Sequence, residues 1–170
     1  MTGFLDELVA HIAIDAADQA QLVALHRTLA PQLSAIADAF CVAALDQPRT
    51  AAMLSSPRRV AALRAALIDW MTTGLLGPYD DAFYARRAQL AHDQAALGLG
   101  AHDLVLALSV VRRAYRDRIA AAYAPAELPA VERAVDKLLD LELAVLLRTY
   151  QLDSEAAVVA SERQQHGIAA

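Results

Sequence analysis

The chain has 170 residues, 57% of them hydrophobic and only 5% aromatic, with a formal net charge of −5 and a single cysteine, Cys41. This acidic balance supplies no basic field for nucleic acid or an anionic membrane surface. One thiol excludes an internal disulfide and a cysteine-based zinc site, and it suits a reducing, cytoplasmic setting. Mean hydropathy is high at +0.31, yet charges interrupt the apolar runs, and LVLALSVV (104–111) is too short to cross a bilayer. No partnership with nucleic acid or a membrane is therefore expected. The apolar excess points instead to a large helical core, an internal pocket or a buried subunit interface. MTGFLDELVAHIAID at the N-terminus has early acids and no basic segment, so it does not read as a signal peptide.

Alanine and leucine dominate, and both favour helix. The first helix is predicted over 3–13, with Leu5, Leu8 and Ile12 on one side. Asp15 caps a second over 16–29, striped by Leu22, Leu25 and Leu29. Pro31 suits the first turn of a third helix running to about Leu45, with Leu33, Ile36, Phe40 and Ala44 inward. A short piece over 49–54 follows the break at Asp46-Gln47-Pro48. Ser55-Ser56-Pro57 opens a long helix to about Leu76, with Val60, Leu63, Leu67, Trp70 and Met71 facing in. After Gly77-Pro78, Tyr79-Asp80-Asp81 starts a polar-fronted helix whose inward residues are Phe83, Leu90, Ala91 and Leu97, broken at Gly98 and Gly100. The next runs from about His102 to Ala122. The last begins near Pro129 and meets no breaker before Gly167, a length of about 50 Å at 1.5 Å per residue. Val135, Leu138, Leu139, Leu141, Leu143, Leu146 and Leu147 cover more than one stripe of it. One stripe would serve the chain's own core and another a partner. Residues 1–165 read as one domain, the final helix leading toward a linker, and 166–170 as a frayed tail.

Taken together these pieces resemble the sensor globins, the input domains of globin-coupled sensors. AFC (39–41) stands where that family has a Phe-Tyr pair in the third helix. The long fifth segment carries Leu63 and Trp70. GPYDDAFYARR (77–87) resembles G-x-Y-D-x-x-(aromatic)-x-x-x-R, and RAQLAHDQAALGL (87–99) resembles R-x-x-I-G-x-x-H-x-x-I-G-L. LLDLELAVLLRTYQLD (138–153) looks like the last helix of sensor globins coupled to histidine kinases. The resemblance covers nearly the whole chain, and the fourth motif is the most specific. It implies an all-α, globin-like fold with a long C-terminal helix. It also implies a bacterial signalling role, a homodimer through the last two helices in a four-helix manner, and a downstream signalling domain or protein.

In that family a histidine of the fourth motif ligates haem iron and a third-helix tyrosine faces the bound gas. Carried over residue by residue, those positions are Gln94 and Cys41, with Arg87, Leu90, Ala91, Leu97, Gly98 and Leu99 in register. Both marker ligands are thus replaced, and a glutamine amide is a poor iron ligand beside imidazole. His92 lies two residues earlier, about 200° around the helix, and reaches the pocket only if the helix slips. The pocket implied by the resemblance is lined by Phe40, Cys41, Leu63, Ala66, Leu67, Trp70, Leu90, Gln94 and Leu97. Cys41 also reads as a small core residue, and Gln94 either as a pocket polar group or as one satisfied by backbone. Arg86 and Arg87 read either as partners of a propionate or carboxylate or, the commoner fate, as surface ion-pairing residues, and Asp136, Asp140 and Glu142 as solvated helix faces. No phosphate loop, metalloprotease motif or nucleophile elbow is present, so an enzyme is not expected. The preferred reading is a regulatory sensor domain holding no cofactor, or a small apolar or fatty-acid-like ligand. The alternatives are a haem-binding gas sensor ligated by His92 and a purely structural dimerisation module.

Overall fold

The computed structural model describes residues 3–96 and 99–167. Over these residues it consists of α1 (Phe4–Ile12), α2 (Ala16–Leu29), a 3-10 turn (Ala30–Gln32), α3 (Leu33–Leu45), α4 (Pro48–Met53), α5 (Pro57–Leu76), α6 (Asp81–Ala96), α7 (Ala101–Ala122) and α8 (Leu128–Gly167). No strand occurs among the described residues.

Helix starts follow local chemistry. Asp15 and Asp18 form a reciprocal capping box at α2, Oδ1 of Asp15 accepting from the Asp18 amide at 2.8 Å. Ser56 accepts from the Arg59 amide at the head of α5, beside Pro57 in the first turn. Asp80 accepts from the Phe83 amide at 2.9 Å and starts α6. Gly77 ends α5 at φ +63°, a conformation that a Cβ would strain, and is followed by a cis Gly77–Pro78 peptide. The predicted third helix starts two residues later than expected. Pro31 lies in the 3-10 turn, which bends the chain between α2 and α3.

Helix α8 is the axis of the fold. Its 40 residues extend about 60 Å at 1.5 Å each. Val131, Val135, Leu138, Leu139 and Leu146 join a main core with Leu22, Leu25 and Leu29 of α2, Leu33 and Ile36 of α3, Met71 and Leu75 of α5, and Val111, Tyr115 and Ile119 of α7. Leu141 and Val145 face the other way, into a second cluster with Leu5, Ile14 and Phe83. Both apolar stripes along this part of α8 are therefore used within the chain, where the sequence reading had reserved one for a partner. Only later does α8 leave apolar groups outside, at Leu147, Leu152 and Val158. The stretch Ala16–Leu45 is long and apolar enough to cross a membrane, but its leucines at 22, 25, 29 and 33 are buried in the main core.

Lys137 of α8 fastens the α1–α2 corner. Its Nζ donates to the Ala13 carbonyl at 2.6 Å and to Asp18 Oδ2 at 2.5 Å. Ala13 closes α1 in the left-handed conformation, φ 57°.

Candidate ligand cavity and the buried ion pair beside it

The first half of α5 does not pack tightly on its neighbours. Leu63 and Leu67 are half-buried and Ala66 exposed, because that face borders a partly open cavity between α3, α4, α5, α6 and α7. An inner chamber of about 70 Å³ reaches Leu67, Trp70, Leu108, Val111 and Leu146. An outer chamber of about 430 Å³ extends to Met53, Leu54, Ala62 and Leu99. The two adjoin at Phe40, Leu63, Ala66, Leu90, Gln94, Leu104 and Ala107. The combined space suits a small ligand. Apolar side chains dominate, and Arg59, Asp93 and Asp103 sit on the outer lining.

Of the pocket residues predicted from sequence, Phe40, Leu63, Ala66, Leu67, Trp70, Leu90 and Gln94 all line this space. Cys41 is buried, 4% exposed, but is not part of the lining; burial pushes its thiol pKa up. Leu97 lies outside the described residues. Gln94 places Oε1 in the wall, out of reach of solvent and without a hydrogen-bond partner, where a lost hydrogen bond costs free energy.

His92 stands on the outer face of α6. Its side chain is 62% exposed and its Nδ1 lies 3.1 Å from Asp153 Oδ2 on α8. Helix α6 runs without interruption to Ala96, so no slip turns His92 toward the cavity, and it is not among the lining residues. His102 is also exposed and lies 3.2 Å from Asp103. No group of three or more His, Cys, Asp or Glu side chains gathers as a metal site among the described residues. Besides aliphatic and aromatic carbon, the cavity offers the Gln94 amide, the Thr50 hydroxyl and the Met53 thioether, with Arg59, Asp93 and Asp103 on its outer lining; none is an imidazole, thiolate or phenolate, so the set does not fit a haem held by one of those.

Against the cavity lies a polar cluster that sequence reasoning missed. Glu142 does not lie on a solvated face and Arg87 does not pair at the surface: they are 2% (Arg87) and 0% (Glu142) exposed, and the carboxylate that Arg87 meets is the chain's own. Arg87 Nη2 and Nε meet Glu142 Oε1 and Oε2 at 2.8 Å each, a bidentate pair. Arg87 also donates to the Trp70 carbonyl at 2.9 Å and to Thr73 Oγ1 at 3.0 Å. Its guanidinium carbon lies 4.6 Å from the Phe83 ring centroid. Trp70 Nε1 donates to Glu142 Oε2 at 3.0 Å. Burial pushes the Glu142 pKa up, opposed by the charge of Arg87 and by hydrogen bonds from Arg87 and Trp70. All these partners are donors, so the arrangement accommodates a carboxylate. Gly74 makes room for it: a Cβ there would stand 3.0 Å from Glu142 Oε1. Tyr79 closes the corner by donating to the Gly74 carbonyl at 2.9 Å.

The missed signal was local. Glu142 has Leu138, Leu139, Val145 and Leu146 at three and four residues' distance, and Arg87 has Phe83, Tyr84, Leu90 and Ala91. A charge ringed by apolar residues at that spacing lies on the buried face of its helix. Asp136 and Asp140 lack such rings and form the expected outer ion pairs, with Arg112 at 2.7 and 3.1 Å.

The architecture matches solved globin domains. The globin domain of a Geobacter sulfurreducens globin-coupled sensor is 27% identical, with a TM-score of 0.79 over 85% of this chain and 95% of that one. The globin domain of Escherichia coli DosC, in ferric and ferrous forms, is 18% identical, with a TM-score of 0.73 over 85% of this chain and 97% of that one. No curated protein matches the chain. The fold is globin-like, and the Protoglobin family model matches residues 3–156; the chain belongs to the protoglobin family.

Proposed function

We propose that this chain is a regulatory sensor domain, a dimeric signalling input module whose cavity takes a small apolar ligand and which works without conventionally ligated haem. Trp70 carries the reading. Its ring lines the inner chamber, while its indole N–H holds Glu142 in the middle of α8. A guest that displaces the ring alters a hydrogen bond to the helix leading out of the domain. The effect needs no travel through solvent, because Glu142 is fully buried. Coupling of this kind requires different contacts in the two states, and the Trp70–Glu142 bond supplies one. The output is a downstream signalling domain or protein, of the histidine-kinase type suggested by the last helix, and the setting is cytoplasmic. Leu147, Leu152 and Val158 supply apolar surface for dimerisation through α8.

Hydrogen–deuterium exchange tests the relay. With saturating 1-chlorodecane, protection should change over residues 138–149 as well as around the cavity, and Trp70→Phe should blunt the α8 response only. A response confined to α3, α5 and α6 would contradict it.

The second reading, a haem-bound oxygen or gas sensor using His92, draws on the related domain crystallised in ferric and ferrous forms. It requires His92 to leave Asp153 and turn α6 about its axis.

A further inference from the structure

The cavity's polar content is asymmetric, and the asymmetry bears on what it admits. The wall shared by both chambers is apolar apart from one amide, Gln94, whose Oε1 is shut off from solvent without a partner. Trp70, the other residue of the inner lining with a polar side-chain atom, commits its indole N–H to Glu142 at 3.0 Å. No cation lines that chamber. The charges stand farther out: Asp93, Asp103 and Arg59 on the outer lining, with Arg49 3.7 Å from Asp103. Arg59 is tied back by hydrogen bonds to the Met53 carbonyl at 3.0 Å and Ser55 Oγ at 3.4 Å.

We propose that the cavity binds an uncharged, chain-like apolar molecule with a single hydroxyl group, and that Gln94 is its recognition residue. This rests on the proposed sensor reading and narrows it, replacing a fatty-acid-like guest by a neutral alcohol. A carboxylate seated at Gln94 would be desolvated with no cation on the inner chamber to answer it, which is costly. The orphaned Oε1 is an acceptor, so a hydroxyl satisfies it by donating once the Gln94 side chain turns that oxygen toward the chamber. A molecule without a polar head leaves Gln94 as it stands, unpaired. Size agrees: with water's share of liquid volume, about 30 Å³, taken for each heavy atom, a ten-carbon alcohol asks for about 330 Å³, which the adjoining chambers of about 430 and 70 Å³ together hold, reaching Trp70.

The chain carries its own reporter, since Trp70 is the only tryptophan and its ring borders the inner chamber. Purified protein is titrated separately with 1-decanol, 1-chlorodecane and sodium decanoate at pH 8, following Trp70 emission and thermal midpoint, in the native chain and in Gln94→Leu. The native chain should bind 1-decanol about tenfold more tightly than 1-chlorodecane, the order expected of one buried hydrogen bond, with decanoate weakest. Gln94→Leu should lose the preference for decanol yet still bind 1-chlorodecane. Equal binding of decanol and chlorodecane, or tightest binding of decanoate, would overturn the hydroxyl inference while leaving the apolar sensor cavity standing. If none of the three probes binds the native chain, the sensor reading itself falls, and this inference with it.

Discussion

Trp70 and Glu142 lie 72 positions apart in sequence and are joined by a 3.0 Å hydrogen bond in the protein interior. The bond ties the cavity wall to the centre of α8. It is possible because Arg87 neutralises the same carboxylate from α6. A three-helix junction thus rests on one buried charge pair, and its energetics follow from that.

Removing the cation should be expensive. Arg87→Met leaves a carboxylate buried without its partner, at a cost of about 3–5 kcal/mol. Arg87→Met with Glu142→Leu removes both charges, and denaturant unfolding should then show part of the loss recovered, the remainder of about 1–3 kcal/mol reflecting the Trp70 N–H left without its acceptor. A double variant no more stable than Arg87→Met would mean that packing, not charge, is what Arg87 provides.

Gly74→Ala should also destabilise. A glycine-to-alanine change inside a helix ordinarily gains up to about 1 kcal/mol. Here the new methyl would lie 3.0 Å from Glu142 Oε1 and 3.3 Å from Arg87 Nη2, so the pair must shift. A net loss of about 1–3 kcal/mol is expected, read as a lower midpoint in urea.

Acid stability should depend on Asp18. Burial alone would raise its pKa, but hydrogen bonds from Lys137 and the Asp15 amide and the charges of Lys137 and Arg133 outweigh it, leaving the value below the ordinary aspartate one. The unfolded chain then binds protons more readily, so this contribution is present above about pH 4 and is lost as pH falls through the lower folded value. Asp18→Asn should cost about 1 kcal/mol at neutral pH and flatten the acid limb of stability against pH below about pH 4.

Gln94→His should convert the cavity. It places an imidazole where the amide now lines both chambers, the residue type suited to haem iron. Haemin added to this variant should give a sharp Soret band that shifts on reduction and with carbon monoxide. A variant spectrum indistinguishable from free haemin would show that the cavity lacks the shape for the macrocycle.

Much of this was legible in the sequence. Apolar period, caps and prolines located the helices, since Asp15, Ser56 and Asp80 each perform the capping their residue types favour. The inward leucines of α2 are fully buried. The resemblance named the residues around the cavity, and periodicity alone does not separate a cavity wall from a packed core: Leu63 and Leu25 look alike in a helical stripe. The Arg87–Glu142 pair was illegible as a pair because its members are 55 residues apart and charged residues ordinarily face water. How α8 divides its stripes was also hidden, since the number of helices packed around it is a property of the whole fold.

The most direct measurement is the absorption spectrum of the purified chain, before and after titration with haemin. The account predicts no sharp Soret band on purification and only weak, non-saturating uptake, because no histidine stands among the residues lining the cavity and His92 faces Asp153. A stoichiometric band that shifts on reduction and with carbon monoxide would contradict it and establish a haem sensor with a non-standard ligand.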